Sequence, residues 1–147
     1  MKKLRIRTLA FALLSFGASA YAAESTSDVI REQAPKGISA GFYSCIDAAG
    51  SDTVATAACL SNEKAAQDKR LNTTYKALLG KLDAKEKAKL MSAERSWLKF
   101  QNDAGAFQNN LYGDETLADL QLTQNEIFSI CLRANALGSY LAVANDK

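Results

Sequence analysis

Apolar residues recur at intervals of three and four through most of this chain, and this pattern limits the fold more than any other feature. Three stretches carry it, at about 54–79, 84–110 and 117–144, and such spacing places apolar side chains along one face of an α-helix. No run of alternating β-branched residues is long enough to predict a strand. The sequence therefore predicts an all-α fold. In the second stretch the apolar stripe runs through Trp97, Phe100, Phe107 and Leu111.

Short breaks separate the three predicted helices. Gly80 is expected to end the first helix, and Asp83 with Glu86 has the sequence of a capping box at the start of the second. A turn this tight joins two helices that run antiparallel. The triplet Tyr112-Gly113-Asp114 then interrupts the pattern before the third helix. The expected architecture is an antiparallel helical hairpin closed by a third long helix, with an N-terminal segment attached to it.

The first 22 residues have the composition of a secretory signal peptide. Basic residues at positions 2, 3, 5 and 7 precede an apolar run from Leu9 to Ala18, and Ala20-Tyr21-Ala22 matches a small-residue cleavage site. The run is shorter than the roughly 20 residues that span a membrane; the alternative interpretation is a buried N-terminal helix. No cysteine lies close to the cleavage site, which argues against a lipid anchor. We expect a periplasmic protein without a membrane anchor after cleavage.

Composition excludes several functional classes. The chain has no histidine, which excludes Ser-His-Asp and Cys-His catalysis and removes the usual nitrogen ligand of zinc sites. Residues 1–22 contribute four of the 18 basic residues and none of the 16 acidic ones, so the mature chain has a net charge of −2. The basic excess typical of nucleic-acid-binding domains is therefore absent. We expect no catalytic residues, no cofactor, no metal and no nucleic-acid partner.

The mature chain is expected to have two parts, an N-terminal segment at 23–52 and a helical domain at 53–147. Pro35-Lys36-Gly37 breaks any regular structure in the first part, and Asp52 or Thr53 is the expected N-cap of the first long helix. The mature chain contains three cysteines, and in an oxidising compartment two of them are expected to pair. Sequence reasoning alone leaves all three pairings open.

Two sequence motifs, one after the other along the chain, resemble those of a known protein family. The first reads C-x8-D-x2-L-N-x2-Y, and the second, A-E-R-S-W-L-K-F, follows it after the predicted turn and precedes Cys131. Together they resemble the LprI family, which is named for an exported lysozyme inhibitor, and the resemblance covers about residues 42–141. The motif residues are Cys59, Asp68, Leu71, Asn72 and Tyr75 in the first motif and Arg95 and Trp97 in the second.

The chain departs from the family pattern at several positions, and one departure bears on the cysteines. Gly105 stands where many members have a third cysteine, which in those members pairs with the position of Cys131. The resemblance therefore implies a disulfide between Cys45 and Cys59 and a free Cys131. Glu94 stands where the family often has glutamine, and Gln101-Asn102 replaces a frequent Arg-Asp pair.

The six helical motif residues are expected to meet across the hairpin. A turn near residue 82 places Asp68 opposite Trp97, where its carboxylate is able to accept a hydrogen bond from the indole N–H or from Arg95. Asn72 is expected to bond a side chain of the partner helix. We interpret this layer as structural, because it sets the register of the hairpin. The alternative is a binding groove lined by Asp68, Asn72 and Arg95.

The family resemblance implies a non-enzymatic protein that binds lysozyme and inhibits it by steric occlusion. The candidate contact segments are an exposed loop at 108–119 with Asp114, Glu115 and Asp119, and the turn at 80–86, chosen because they are exposed. An acidic contact patch would speed association with a cationic enzyme. The alternative is an envelope structural or interaction module, or an immunity-type partner, without lysozyme activity. A third hypothesis, a cell-wall hydrolase, would use Asp68 and Glu94 as its two carboxylates.

Overall fold

The computed structural model describes residues 25–113 and 115–147, and every regular element within those ranges is an α-helix. The three predicted long helices are present, which confirms the all-α fold class; the predicted signal peptide at 1–22 lies outside the described residues. The helices are α1 (Thr26–Gln33), α2 (Ala40–Ala49), α3 (Thr53–Lys81), α4 (Ala84–Tyr112) and α5 (Thr116–Asn145).

The starts of α3 and α4 lie where the local sequence predicted them. Asp52 caps α3, and its carboxylate accepts hydrogen bonds from two backbone N–H groups at 2.9 and 3.1 Å. The capping box of α4 is complete, since Asp83 accepts from the Glu86 N–H at 2.7 Å and Glu86 accepts from the Asp83 N–H at 3.1 Å. The connection between α3 and α4 is consequently limited to Leu82 and Asp83, and the chain reverses there.

Two short helices, α1 and α2, occupy the N-terminal segment, for which no element was assigned from the sequence. Each begins at a serine whose hydroxyl accepts a backbone N–H, Ser25 from Asp28 at 3.2 Å and Ser39 from Phe42 at 3.1 Å. They have 8 and 10 residues, which is too few for an apolar period of 3.6 to stand out. The serine N-caps were the sequence signal that was available for predicting these two helices.

The central element of the fold is α5. It runs parallel to α3, since Lys64 contacts Glu126 and Arg70 contacts Asn135 further along both helices. It runs antiparallel to α4, and α2 packs on α3 while α1 packs on α2. The two arms of the hairpin meet near their turn and do not pack along their lengths. The hairpin is therefore held by the third helix rather than by its own two arms.

The core consists of two apolar clusters at opposite ends of α5. The first joins α2, α3 and α5, and the disulfide between Cys45 and Cys59, with Cα atoms 5.7 Å apart, lies beside it. This is the pairing that the family resemblance implied, and Cys131 is free and buried. The second cluster is Leu78, Leu90 and Leu137, and the first is Phe42, Tyr43, Ile46, Cys59, Leu60 and Ile127.

Among the described helices, α5 alone is long and apolar enough to cross a membrane, judged by length and composition. Some of its apolar side chains have partners in this fold, since Ile127, Ile130 and Leu137 are buried, whereas others on the same helix, such as Leu132 and Val143, are exposed. The same helix also carries Arg133 and Glu126, which form ion pairs with α4 and α3. Its central position accounts for the buried part of its apolar composition.

A hydrogen-bonded carboxylate fixes α1 against α2. Asp47 accepts from the Ser27 hydroxyl at 2.7 Å and from the Ser27 N–H at 3.3 Å. The hydroxyl bond is the main reason that the pKa of Asp47 lies below its ordinary value of 3.8. Because these bonds require the ionised carboxylate, the stability that they contribute is complete above the unfolded-state pKa and is lost as the pH falls through the lower folded-state pKa.

We expect the titration midpoint of Asp47, followed by NMR, to lie below 3.8 in the folded protein. Replacing Ser27 by Ala should raise the midpoint towards the value of an unperturbed aspartate, because it removes the hydroxyl donor. Ser44→Ala is the matched control, since its hydroxyl bonds a backbone carbonyl of its own helix. An unchanged midpoint in Ser27→Ala would contradict this assignment.

Candidate functional site

Charge is distributed very unevenly along the three long helices. Residues 100–132, named here the acidic segment, carry five acidic residues and no lysine or arginine, whereas residues 64–99 carry ten basic and four acidic ones. The acidic segment comprises the second half of α4, the connection to α5 and the first half of α5. One end of the hairpin is therefore cationic and the other is anionic. The five acidic residues are Asp103, Asp114, Glu115, Asp119 and Glu126.

The acidic segment also exposes large apolar side chains. Phe100, Phe107 and Leu111 share one face of α4 and are 64%, 65% and 64% exposed. An apolar stripe on a helix usually faces the core, but these three residues of the α4 stripe face solvent. Leu90 is the buried residue of α4. The stripe remains exposed because α4 meets α5 through polar side chains.

A ladder of polar pairs joins α4 to α5. The Ser129 hydroxyl donates to the Gln101 amide oxygen at 2.7 Å, and the Asn125 amide donates to that of Gln108 at 3.3 Å. Further along, the Arg133 guanidinium donates to the Glu94 carboxylate and lies over the Trp97 ring, 5.9 Å from its centroid. On α4 these partners are spaced by seven residues, so they share one face: Glu94, Gln101 and Gln108.

A groove of about 740 Å³ lies between α4 and α5 within the acidic segment. Amide and hydroxyl side chains form half of its lining, apolar residues form most of the rest, and small residues at positions 104–106 leave it open on the α4 side. No lysine or arginine lines it among the described residues. It is therefore a groove of mixed polar and apolar lining, without positive charge. Its polar lining includes Gln101, Asn102, Gln108, Asn109, Asn125 and Ser129.

The sequence matches one known protein family. The family model described as lysozyme inhibitor LprI matches residues 45–137, which is more than half of the chain. The chain belongs to the LprI family. The match begins at the first cysteine of the disulfide and ends at Leu137 in the second core cluster. No curated protein and no solved structure gives a significant match.

The contact loop predicted for this LprI-family chain at 108–119 is wrong in extent. Helix α4 continues to Tyr112 and α5 begins at Thr116, so most of that range is helical. Glu115 is the exposed N-cap residue of α5, and Asp119 lies in the first turn of α5 and lines the groove. Asp114 lies outside the described residues. Two of the three predicted acidic residues thus belong to a helix start rather than to a long loop.

The predicted layer across the hairpin is wrong, because α5 and not α4 packs along α3. The Asn72 amide donates to the backbone carbonyl of Asp68 in its own helix at 2.9 Å. Arg95 is exposed, and none of the side-chain bonds of the described residues joins it to Asp68. The alternative groove of Asp68, Asn72 and Arg95 is consequently not formed.

The other motif residues of the LprI family have structural positions. Leu71 and Tyr75 pack against the second core cluster, and Trp97 lies beneath Arg133. Glu94, one of the carboxylates of the hydrolase hypothesis, is engaged by Arg133. Its partner in that hypothesis, Asp68, belongs to α3. These positions favour a structural role for the motif.

Sequence reasoning missed a polar network centred on Arg70 of α3. Its guanidinium donates to the carbonyl of Cys131 at 2.9 Å, to the Cys131 thiol at 3.1 Å and to Asn135 at 2.9 Å, which ties α3 to α5. Burial raises the pKa of the Cys131 thiol, so this thiol stays neutral at neutral pH. It is a buried member of the network rather than a reactive group.

The same face of α3 holds the loop before α2. The buried Glu63 carboxylate accepts from the Ser39 N–H at 3.0 Å and from its hydroxyl at 2.5 Å, and Gln67 donates to the Gly37 carbonyl at 2.9 Å. Gly37 has φ of +113°, and a Cβ there would lie 2.8 Å from an Arg70 nitrogen. The helical spacing of Glu63, Gln67 and Arg70 on one face of α3 was the sequence signal for this network. The same spacing is typical of a solvated helix face, so it did not single out a buried network.

Proposed function

We propose that this protein is an exported, non-enzymatic inhibitor that binds a lysozyme through the acidic segment and covers the active-site cleft. Membership of a family described as lysozyme inhibitors supports the target. The observation that carries the proposal is the combination of exposed Phe100, Phe107 and Leu111 with a stretch of 33 residues that lacks any cation. This surface complements a cationic enzyme in charge and offers it apolar side chains to bury.

The two properties of the acidic segment have different effects on binding. Negative charge steers a cationic partner and raises the association rate, especially at low salt. Exposed aromatic side chains supply affinity, because interfaces gain most of their energy from a few buried aromatic or arginine anchors. Phe100 and Phe107, seven residues apart on α4, have the exposure that such anchors need.

Occlusion requires no catalytic group, and the chemistry of the chain agrees with that mechanism. The sequence lacks histidine. Two carboxylates of the long helices are used inside the fold, Glu63 by Ser39 and Glu94 by Arg133. We infer a protein that works as a shaped and charged surface, secreted to the periplasm by the signal peptide at 1–22.

The test is lysis of cell-wall substrate by a c-type lysozyme, with purified and oxidised 23–147 titrated in. We expect dose-dependent inhibition that is complete near one-to-one stoichiometry. Absence of inhibition at a large molar excess, with helical folding verified by circular dichroism, would contradict the proposal. In that case the family describes a shared fold, and the alternative of an envelope interaction partner would be pursued by pull-down.

Charge reversal identifies the surface. Glu115→Lys combined with Asp119→Lys is expected to weaken inhibition about 10- to 100-fold, mainly through slower association, because long-range steering is lost and a cation faces a cation. Glu32→Lys with Asp146→Lys is the matched control, since it makes the same charge change at exposed positions outside the acidic segment. Binding kinetics at two salt concentrations measure both. Equal loss in the two variants would argue against this surface.

A further inference from the structure

The groove between α4 and α5 has the size of a ligand site. Its volume of about 740 Å³ lies within the range of roughly 300–1,000 Å³ that small-molecule sites occupy. It is open because the α4–α5 interface is a ladder of polar pairs rather than a packed apolar seam. The α4 side also lacks bulk at Ala104 and Gly105.

Neutral hydrogen-bonding side chains make up half of the lining residues, beside apolar ones. Each asparagine or glutamine offers two donors and an acceptor oxygen. Gln121 donates to Asn125 at 2.9 Å and Asn125 donates to the Gln108 oxygen at 3.3 Å, so this relay fixes the orientation of the Gln108 amide. Within the described residues, the Gln108 NH2 donates to no other side chain. Asn102 and Asn109 also lack side-chain partners there.

Charge restricts the class of ligand. Because no lysine or arginine lines the groove among the described residues, a phosphate or carboxylate would enter without a counter-charge. The groove has two carboxylates, and Glu126 is already paired with Lys64 at 2.7 Å. The remaining carboxylate, that of Asp119, attracts a cation only weakly by itself. The groove therefore favours a neutral ligand that is rich in hydrogen-bond donors and acceptors.

We propose that this groove binds a neutral oligosaccharide. Sugar hydroxyls are donors and acceptors at once, and they match amide groups that present both. Phe100, at the edge of the groove and largely exposed, offers a flat apolar surface to the C–H face of a pyranose ring. Saccharide binding in this groove does not depend on lysozyme binding.

The experiment is an NMR titration of oxidised 23–147 with two neutral probes, maltotriose and tri-N-acetylchitotriose. We expect saturable shifts of the side-chain amides of Gln108, Asn102 and Asn109 with at least one probe, at concentrations up to about 10 mM. No saturable shift with either probe would overturn the proposal, as would shifts confined to another surface. Binding of a lysine peptide at these amides, without saccharide binding, would identify a cationic occupant and overturn it too.

Three variants give the titration a structural control. Asn109→Ala is expected to weaken binding about five- to tenfold through one lost hydrogen bond, and Asn110→Ala, which changes the neighbouring amide outside the lining, should leave it unchanged. Gly105→Leu should weaken binding by placing a bulky side chain in the groove, and it should fold, because a Cβ there meets nothing within 4 Å. Equal affinity in Gly105→Leu and the wild type would refute the site.

Discussion

Replacing Leu137 by Ala is expected to lower the free energy of unfolding by about 2–5 kcal/mol, the largest effect of any single substitution considered for this protein. Leu137 lies on α5, is 0% exposed, and forms the second core cluster with Leu78 of α3 and Leu90 of α4. Leu90 is the buried residue that α4 contributes. A cavity at Leu137 therefore removes the apolar contact that ties all three long helices together.

Urea denaturation followed by circular dichroism measures the effect of Leu137→Ala. The control is Leu132→Ala, which removes the same atoms from the same helix at a side chain that is 57% exposed. It is expected to change the free energy of unfolding by less than about 0.5 kcal/mol. Similar losses in both variants would show that α5 does not pack as described.

Replacing Cys45 and Cys59 together by Ala is expected to cost about 3 kcal/mol of unfolding free energy, as the chain-entropy argument gives for a loop of this length. The two cysteines are separated by 14 positions and link α2 to α3 beside the first core cluster. Their removal frees the N-terminal segment, and we expect α1 and α2 to lose protection from hydrogen exchange before the long helices.

The reducing agent dithiothreitol provides the control for the disulfide prediction. It should destabilise the wild type by about the same 3 kcal/mol and leave the double variant unaffected, because Cys131 is free in both. A large effect of reductant on the double variant would mean that Cys131 takes part in a bond between molecules. A wild type insensitive to reductant would contradict a stabilising disulfide.

The limits of the long helices were readable from the sequence because helix ends are local. Asp52 and the Asp83–Glu86 box satisfy backbone N–H groups within three residues of themselves, whatever packs around them. The predicted pairing of Cys45 with Cys59 came instead from the family resemblance. The short helices α1 and α2 were missed because their stability comes from the disulfide, from packing of α2 on α3 and from packing of α1 on α2, rather than from a repeating pattern.

The candidate site was predicted in part. Glu115 and Asp119 were recognised as acidic residues near a chain reversal, and they lie at the start of α5. The absence of lysine and arginine from 100–132 was visible in the sequence and would have extended the candidate surface to Phe100 and Phe107. The groove was not predictable, because it arises where two successive helices meet through polar side-chain pairs rather than a packed apolar seam.

The sequence by itself determined the three long helices and the caps of α3 and α4, since these depend on residues within a few positions of one another, and it determined the separation of charge along those helices. The tertiary structure decided which helix faces which. An apolar stripe predicts a contact but does not name the partner, so α5 rather than α4 packs along α3, and Phe100 and Phe107 remain exposed. Which helices pack together depends on the packing energy of all three, and the local sequence of one helix does not determine that energy.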